Sequence, residues 1–325
     1  MRYVIFLKTE RMDCSMQVTA NKYIFLFIIL VGFLFFSSCN STKKNSEDPW
    51  EGLEEIIKTD DEIGDLQISD QAISQVIENV SSPVEMAALI LDLGIPYSNN
   101  YLSSTKNADY YTTALKKAVN LGVYGADLGY LNMYNQTGPV MNYITVIKDL
   151  SDGINVGQFF DFTTLKRLVL NNTNLDSLML ISQQSFNRMD QYLLENSRRN
   201  LSTLIIAGTW IEGMYLITQA AKENPNKKLM DAIGDQKSIV PIILGLLNNY
   251  KKDVFFKELT VKFNDLKRIF DEVEITIQYT DPQPVEINGV LNFQSDEISI
   301  INMSDETLEK IVNKIAEIRT DITST

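Results

Sequence analysis

The sequence predicts an all-α protein that carries one small β-hairpin. From about residue 69 onward, apolar residues recur mostly at spacings of three and four, which is the period of an amphipathic helix. The Asn288-Gly289 pair lies between alternating apolar residues, and this is a strong short-range signal for a hairpin. Hydrophobic residues make up 45% of the 325 residues, enough to form a large core. We therefore expect helical hairpins or a bundle, with a β-hairpin insertion near residues 284–301.

The N-terminus has the composition of an export signal. Lys8, Arg11 and Lys22 precede an uncharged apolar run at residues 23–36, and small residues and a cysteine follow at 37–39. The run is short for a bilayer-spanning helix and has the length of a signal-peptide core. We therefore expect residues 1–38 to be a signal peptide. Met12 and Met16 are alternative starts, because the stretch before the apolar run is longer than a signal needs.

The residues Phe36-Ser37-Ser38-Cys39 resemble the lipobox of bacterial lipoproteins. The resemblance implies cleavage between Ser38 and Cys39 and attachment of lipid to Cys39, which would then bind the membrane. Asn40, in place of Asp, implies sorting to the outer membrane. An uncleaved anchor helix and cleavage at another position are the alternatives.

The next stretch, residues 39–68, is polar and mostly acidic, and it predicts a flexible tether. Trp50, Leu53, Ile56 and Ile57 have helical spacing and are the exception; a short docking turn there is the less favoured alternative. The remaining residues, 69–325, are expected to form a single mainly helical domain.

The first helices of this domain are predicted from their periodicity and end signals. One begins at Pro83 and ends at Gly94, and a second spans residues 108–134. Because glycine inside a helix is destabilising, its recurrence on one stripe predicts a close crossing with another helix. The stripe consists of Leu115, Ala118, Val119, Gly122, Gly125, Ala126, Gly129 and Met133.

Gly138-Pro139 predicts a turn, followed by a return helix over residues 140–153. This pair of helices resembles one tetratricopeptide unit: Tyr134 and Gly138 match its signature positions, whereas Leu131, Tyr143 and Ile147 depart from the residues that the repeat prefers. No 34-residue period follows, so the resemblance covers a single unit.

Further helices are predicted at residues 159–170, 175–193, 201–221, 239–247 and 255–273. The 201–221 segment is apolar on nearly all sides, which indicates a buried helix rather than a membrane span. Residues 274–279 fit either a strand or a continuing helix, and residues 298–301 could pair with another strand. Ser304 is expected to cap a final amphipathic helix.

The lipobox and the segment Gly-Val-Tyr-Gly-Ala-Asp-Leu-Gly-Tyr at 122–130 together resemble an uncharacterised family of Gram-negative outer-membrane lipoproteins built mostly of helices. That resemblance implies a fold class and a cell-envelope location, and no activity.

The amino-acid composition excludes several classes of catalytic and binding site. The chain has no His, which excludes His-dependent nucleophiles, bases and metal sites. The net charge of −13 argues against nucleic-acid binding. No phosphate-binding glycine loop or cysteine pair is present, so no cofactor is expected. The acidic run at residues 60–65 lacks the order of a calcium loop, and a solvated charge run is favoured over a metal site.

Two groups of residues remain as candidates for a site. Glu212 lies within the buried helix, where an unpaired carboxyl would have a raised pKa and could act as an acid. The favoured alternative is a partner such as Arg198, Arg199 or a tyrosine. Asp127, Tyr130 and Tyr134 share a helix face that could bind a sugar or another polar ligand, although packing in the core is favoured.

The resulting expectation is a lipid-anchored envelope protein acting as a non-catalytic binding or scaffolding module for an envelope protein or a polysaccharide. One alternative is a glycan-binding lipoprotein beside an outer-membrane importer. Another is a hydrolase that uses Asp127 and Glu212, which requires the two carboxyls to lie within about 10 Å of each other in a cleft.

Overall fold

The structure, a computed structural model, describes residues 83–170, 175–279, 283–287, 290–294 and 297–324. All of them belong to one compact unit that spans residues 67–325. The predicted signal peptide, the lipidation site at Cys39 and the tether lie outside the described residues.

The described residues form a mainly helical domain with two short antiparallel strand pairs, which confirms the predicted fold class. The helices are α1 Pro83–Asp92, α2 Ala114–Met133, α3 Thr137–Gly153, α4 Phe162–Leu170, α5 Leu175–Glu195, α6 Arg199–Glu223, α7 Lys227–Asp235, α8 Ile239–Asn248, α9 Val254–Asp271 and α10 Asp305–Thr323. The strands are β1 Glu274–Tyr279, β2 Gln283–Ile287, β3 Val290–Gln294 and β4 Glu297–Asn302.

Helices α2 and α6 form the centre of the core, and their backbones touch. A Cβ atom on Gly122 would lie 2.1 Å from the carbonyl oxygen of Ile205, and one on Gly208 would lie 1.9 Å from the carbonyl oxygen of Val119. Only glycine fits at such distances, so each helix supplies a notch for the other. This confirms the close crossing predicted from the small-residue stripe.

Helix α6 is the one helix in the described part that is long and apolar enough to cross a membrane. Its most apolar window has a mean hydropathy of 1.3, and 83% of that window is buried inside the protein. Trp210, Ile211 and Met214 are all at most 1% exposed. The helix therefore has the surroundings of a core helix, as its apolar circumference predicts.

Local sequence explains where several helices begin. Side chains of Thr113, Asn226, Asp253 and Ser304 accept hydrogen bonds from backbone N–H groups in the first turns of α2, α7, α9 and α10. These caps satisfy donors that have no partner within the helix. At the other end of α1, Gly94 has a φ of +71° and ends the helix.

Two helix boundaries and one whole helix differ from the predictions. Helix α2 begins at Ala114 rather than residue 108, because Ser104 caps a separate 3₁₀ segment at Thr105–Tyr110. Gly138 lies inside the first turn of α3, and the connection is made by Asn135 with a φ of +51°. Helix α7 was not predicted at all.

The strands form two antiparallel pairs, β1 with β4 and β2 with β3. Ile287 pairs with Val290, so the predicted two-residue connection at Asn288-Gly289 is confirmed. Residues 274–279 form a strand paired with residues 297–302, which decides the ambiguity in the sequence. Where α9 ends, Lys237 donates hydrogen bonds to the carbonyl groups of Asp271 and Val273.

Helix α2 packs against α6 more extensively than against α3. The α2–α3 hairpin is present, as predicted. Tetratricopeptide-type stacking, however, stays a prediction.

Candidate functional site

Three charged side chains from distant parts of the chain meet in the core. They are Asp127 on α2, Glu212 on α6 and Arg319 on α10. Both acidic residues have 0% exposure, and the Arg319 side chain is 14% exposed. Arg319 binds Glu212 through two bonds, Nε to Oε2 at 3.0 Å and Nη2 to Oε1 at 2.9 Å. Such a two-pronged pair is the strong form of this interaction.

The crossing of the two central helices helps to bring the acidic groups together. Asp127 follows the notch residue Gly122 by five residues, and Glu212 follows Gly208 by four, so each carboxyl lies about one turn beyond its notch. The carboxyl groups of Asp127 and Glu212 lie within hydrogen-bonding reach of each other.

The environment favours the protonated form of Asp127. Burial, followed by the negative charge of Glu212, raises the pKa of Asp127 well above its usual value, and Arg319 offsets this only in part. One carboxyl oxygen, Oδ2, accepts the backbone N–H of Ser103 at 3.0 Å. The other, Oδ1, has no donor in the structure. A neutral Asp127 resolves this, because its proton can be donated to Glu212.

The charge of the cluster is therefore balanced by one ion pair. Burial acts against the charged form of Arg319, but the facing Glu212 carboxylate outweighs it, and the pKa of Arg319 is raised. The guanidinium also donates from Nη2 to the Ser103 hydroxyl at 2.7 Å and lies over the Tyr215 ring, 4.3 Å from its centroid. Buried charges persist only with such complete pairing.

The cluster continues into a set of tyrosine hydroxyls that hold an irregular segment, residues 95–111, on the core. Besides the hydrogen bonds within the segment, groups from α2, α3, α6 and α10 hold it in place. Hydroxyl groups of Tyr124, Tyr134 and Tyr143 donate to the carbonyls of Ser104, Ile95 and Ser103, each at 2.7 Å, and the hydroxyl of Tyr130 accepts the N–H of Ser98 at 3.1 Å.

Burial raises the pKa of these hydroxyls, for example to about 12 for Tyr134. They therefore stay protonated and keep donating over the whole physiological range. Two tyrosines of the segment itself make further bonds, from Tyr101 to Glu223 and from Tyr111 to the carbonyl of Thr323. The tyrosine-rich helix thus recognises a segment of its own chain.

The prediction that Asp127, Tyr130 and Tyr134 form an exposed ligand-binding surface is therefore wrong. Asp127 and Tyr130 are 0% exposed, and the half-buried Tyr134 has its hydroxyl bonded to Ile95. The favoured alternative, packing in the core with satisfied hydroxyls, is confirmed. The physical reason is that the 95–111 segment covers this face and needs donors for its carbonyl groups.

Glu212 is buried, as the sequence predicts, but its partner is Arg319 rather than Arg198 or Arg199. Arg198 instead donates to the carbonyl of Ile154. The pairing joins residues 107 positions apart, which no local pattern reveals. One signal was available, because Arg319 is a charge on the apolar stripe of α10 formed by Ile311, Ile315, Ile318 and Ile322.

The carboxyl pair does not have the geometry of a glycosidase. A substrate bond must fit between two carboxyls about 5–9.5 Å apart. Here each carboxyl is 0% exposed, and the negative charge of Glu212 acts directly on Asp127, so no substrate can enter between them. Within the described ranges, no three His, Cys, Asp or Glu side chains converge to hold a metal ion. The cluster stabilises the core and orders the 95–111 segment.

An open groove lies elsewhere, between α7 and β4. It has a volume of about 360 Å³ and is lined by residues that include Lys227, Met230, Asp231 and Ile301. Lys227 pairs with Asp231 and donates to the carbonyl of Ile301, so the charges in this groove are already matched.

Fold and site together define a mainly helical domain with a buried carboxyl–guanidinium cluster and two antiparallel strand pairs. No protein-family model matches the chain, and neither the curated proteins nor the solved structures contain a significant match.

Proposed function

We propose that this chain is a lipid-anchored cell-envelope protein whose helical domain acts as a non-catalytic binding or scaffolding module. The observation that carries the non-catalytic part is the complete burial of Asp127 and Glu212. These are the acidic residues that the sequence singles out for chemistry, and a reacting group must touch its substrate to act on it.

The internal use of the tyrosine face supports the same proposal. A sugar-binding platform requires exposed aromatic rings, whereas these rings pack against one another; the centroids of Tyr130 and Tyr134 are 4.8 Å apart, and their planes are tilted by 50°. Binding to a partner would therefore use another surface of the domain. The membrane anchor rests on the order of charge, apolar run, small residues and Cys39 in the sequence.

Metabolic labelling with a fatty-acid probe tests the anchor. The chain has two cysteines, so Cys14→Ala is a matched control for Cys39→Ala. We expect the parent chain and Cys14→Ala to carry label, and Cys39→Ala to carry none. Equal labelling of all three would overturn the anchor at Cys39.

Crosslinking in intact cells, followed by identification of captured neighbours, tests the binding role. We expect the parent chain and Asp127→Asn to capture the same envelope protein or polysaccharide. Capture of no neighbour under several conditions would contradict the proposal. So would a hydrolytic activity of the purified parent chain that Asp127→Asn abolishes.

A further inference from the structure

Strands β1 and β4 form a two-stranded ribbon, and β1 leaves one edge of this ribbon uncovered. Its residues 274–278 are all exposed, and they include two large apolar side chains, Ile275 at 37% and Ile277 at 54% exposure. In the described part of the chain, β1 pairs with β4 on one side and with no strand on the other. An exposed apolar edge strand offers unpaired N–H and C=O groups to another strand.

The other strand of the pair, β4, is covered at Ile301. On β4, Ile301 packs against Gly234 of α7, where a Cβ atom would lie 2.4 Å from its Cγ2. Lys227 donates to the carbonyl of Ile301 at 3.1 Å. Lys237 likewise covers the carbonyl of Val273, just before β1. Beyond Val273, no group of the described residues outside β4 bonds to residues 274–278.

The usual protection of a free edge is also missing from β1. Natural edge strands carry Lys, Pro, bulges or inward charges that prevent pairing. Residues 274–278 read Glu-Ile-Thr-Ile-Gln, with a single charge at Glu274 and no proline. A two-stranded ribbon is marginally stable by itself, and added strands stabilise it. This edge therefore has the character of a pairing surface.

We propose that β1 pairs with β1 of a second copy of this chain, antiparallel and centred on Thr276. The result is a four-stranded sheet in the order β4, β1, β1, β4. In this register Ile275 of each copy lies opposite Ile277 of the other, and Thr276 lies opposite Thr276. Cross-strand apolar pairs of this kind stabilise a sheet.

The charge pattern selects the second copy and its direction. Antiparallel pairing places the two Glu274 residues at opposite ends of the joined strands, each opposite a Gln278 that can donate to it. Parallel pairing in register would bring the two Glu274 residues side by side. A shift of one residue would put Ile275 opposite Gln278 and Ile277 opposite Thr276, and it would mismatch the faces of the sheet. The strand is therefore complementary to itself in one arrangement.

A disulfide test reports this register directly. Residues that face each other in an antiparallel pair have Cα atoms about 4.5–5.5 Å apart, within the range of a disulfide. Thr276→Cys is introduced into the full chain carrying Cys14→Ser, and the cells are treated with a mild oxidant. The matched control is Val261→Cys on α9. Val261 is 55% exposed, about as much as Ile277 on β1. The chain without either new cysteine gives the baseline.

We expect a covalent dimer from Thr276→Cys and only the baseline from Val261→Cys. Equal dimer yields from both variants would reveal random collision and overturn the proposal. Crosslinking of Thr276→Cys only to a different protein would also overturn it, and would identify a strand partner of another kind.

A charge variant tests the same interface without oxidation. Thr276→Lys places two lysines directly opposite each other, and it should raise the dimer dissociation constant about tenfold or more. Val261→Lys adds the same charge elsewhere and should leave the constant unchanged. Both are compared with the parent full chain in mild detergent by light scattering. A parent chain that stays monomeric at every concentration overturns the proposal, whether or not Cys39 is lipidated.

Discussion

Substituting Gly208 by Ala tests the backbone contact on which the core is built. The added Cβ would lie 1.9 Å from the carbonyl oxygen of Val119 and 2.9 Å from its carbonyl carbon. An ordinary carbon–oxygen contact needs about 3.3 Å, so α2 and α6 would have to separate by about 1.4 Å. Both sides of the contact are backbone, and no rotamer change can relieve it.

The expected size of the effect follows from two opposing contributions. Overpacking a core costs up to about 3 kcal/mol, and a clash between backbones belongs at the top of that range. Alanine in place of glycine stabilises a helix by about 1 kcal/mol. We therefore expect Gly208→Ala to lower the free energy of unfolding by about 2 kcal/mol or more.

Urea unfolding followed by far-ultraviolet circular dichroism measures this change. The matched control is Gly138→Ala on α3, where no heavy atom lies within 4 Å of the added Cβ, and it should be neutral or stabilising. Gly122→Ala should act like Gly208→Ala. The double variant should lose less than the sum of the two, because one helix separation relieves both clashes.

A Gly208→Ala chain as stable as the parent would refute the backbone contact. Additive losses in the double variant would refute the idea that the two notches belong to one crossing.

Three further predictions concern the buried cluster and the tyrosines. Asp127→Asn keeps a donor toward Glu212 but cannot titrate. Above about pH 4 the unfolded parent chain loses its Asp127 proton while the folded chain retains it. The free energy of unfolding of the parent, measured in urea at several pH values, should therefore fall relative to that of the variant by up to about 1.36 kcal/mol per pH unit. A constant difference across pH would contradict a raised pKa. Arg319→Met leaves Glu212 buried without its cationic partner and should cost about 3–5 kcal/mol. Combining it with Glu212→Gln should recover much of that loss, and Arg268→Met, at an exposed site, should cost little. No recovery in the double variant would count against the pairing. Tyr143→Phe removes the donor to the Ser103 carbonyl and should cost about 1–3 kcal/mol, while Tyr110→Phe at an exposed ring should be neutral; equal effects would argue against the clamping of residues 95–111.

Local patterns in the sequence were enough to predict most of the helices. Caps, apolar periodicity and breakers act within a few residues, so Ser304 and the stripe of α10 could be recognised directly. The Asn-Gly pair specified the β2–β3 connection for the same reason. Helix α7 was not recognised, although its cap at Asn226 and its apolar residues Leu229, Met230 and Ile233 were local signals for it.

The candidate site was predicted in part. Asp127 and Glu212 were singled out because a carboxyl on an apolar helix is unusual, and that unusual position reflects a real feature of the core. What they do was decided by Arg319 and Ser103, which lie far away in the sequence. The tyrosine face was likewise noticed, but its ligand turned out to be the 95–111 segment of the same chain.

The sequence by itself determined the helical class, the hairpin and the need for a close helix crossing, since each depends on short-range periodicity or on the size of a side chain. The tertiary structure alone decided which backbone fills the glycine notches, which cation balances Glu212 and which strand edge stays open. Those outcomes depend on contacts between residues far apart in the sequence, where burial removes water and makes every charge and hydrogen-bond donor require a specific partner.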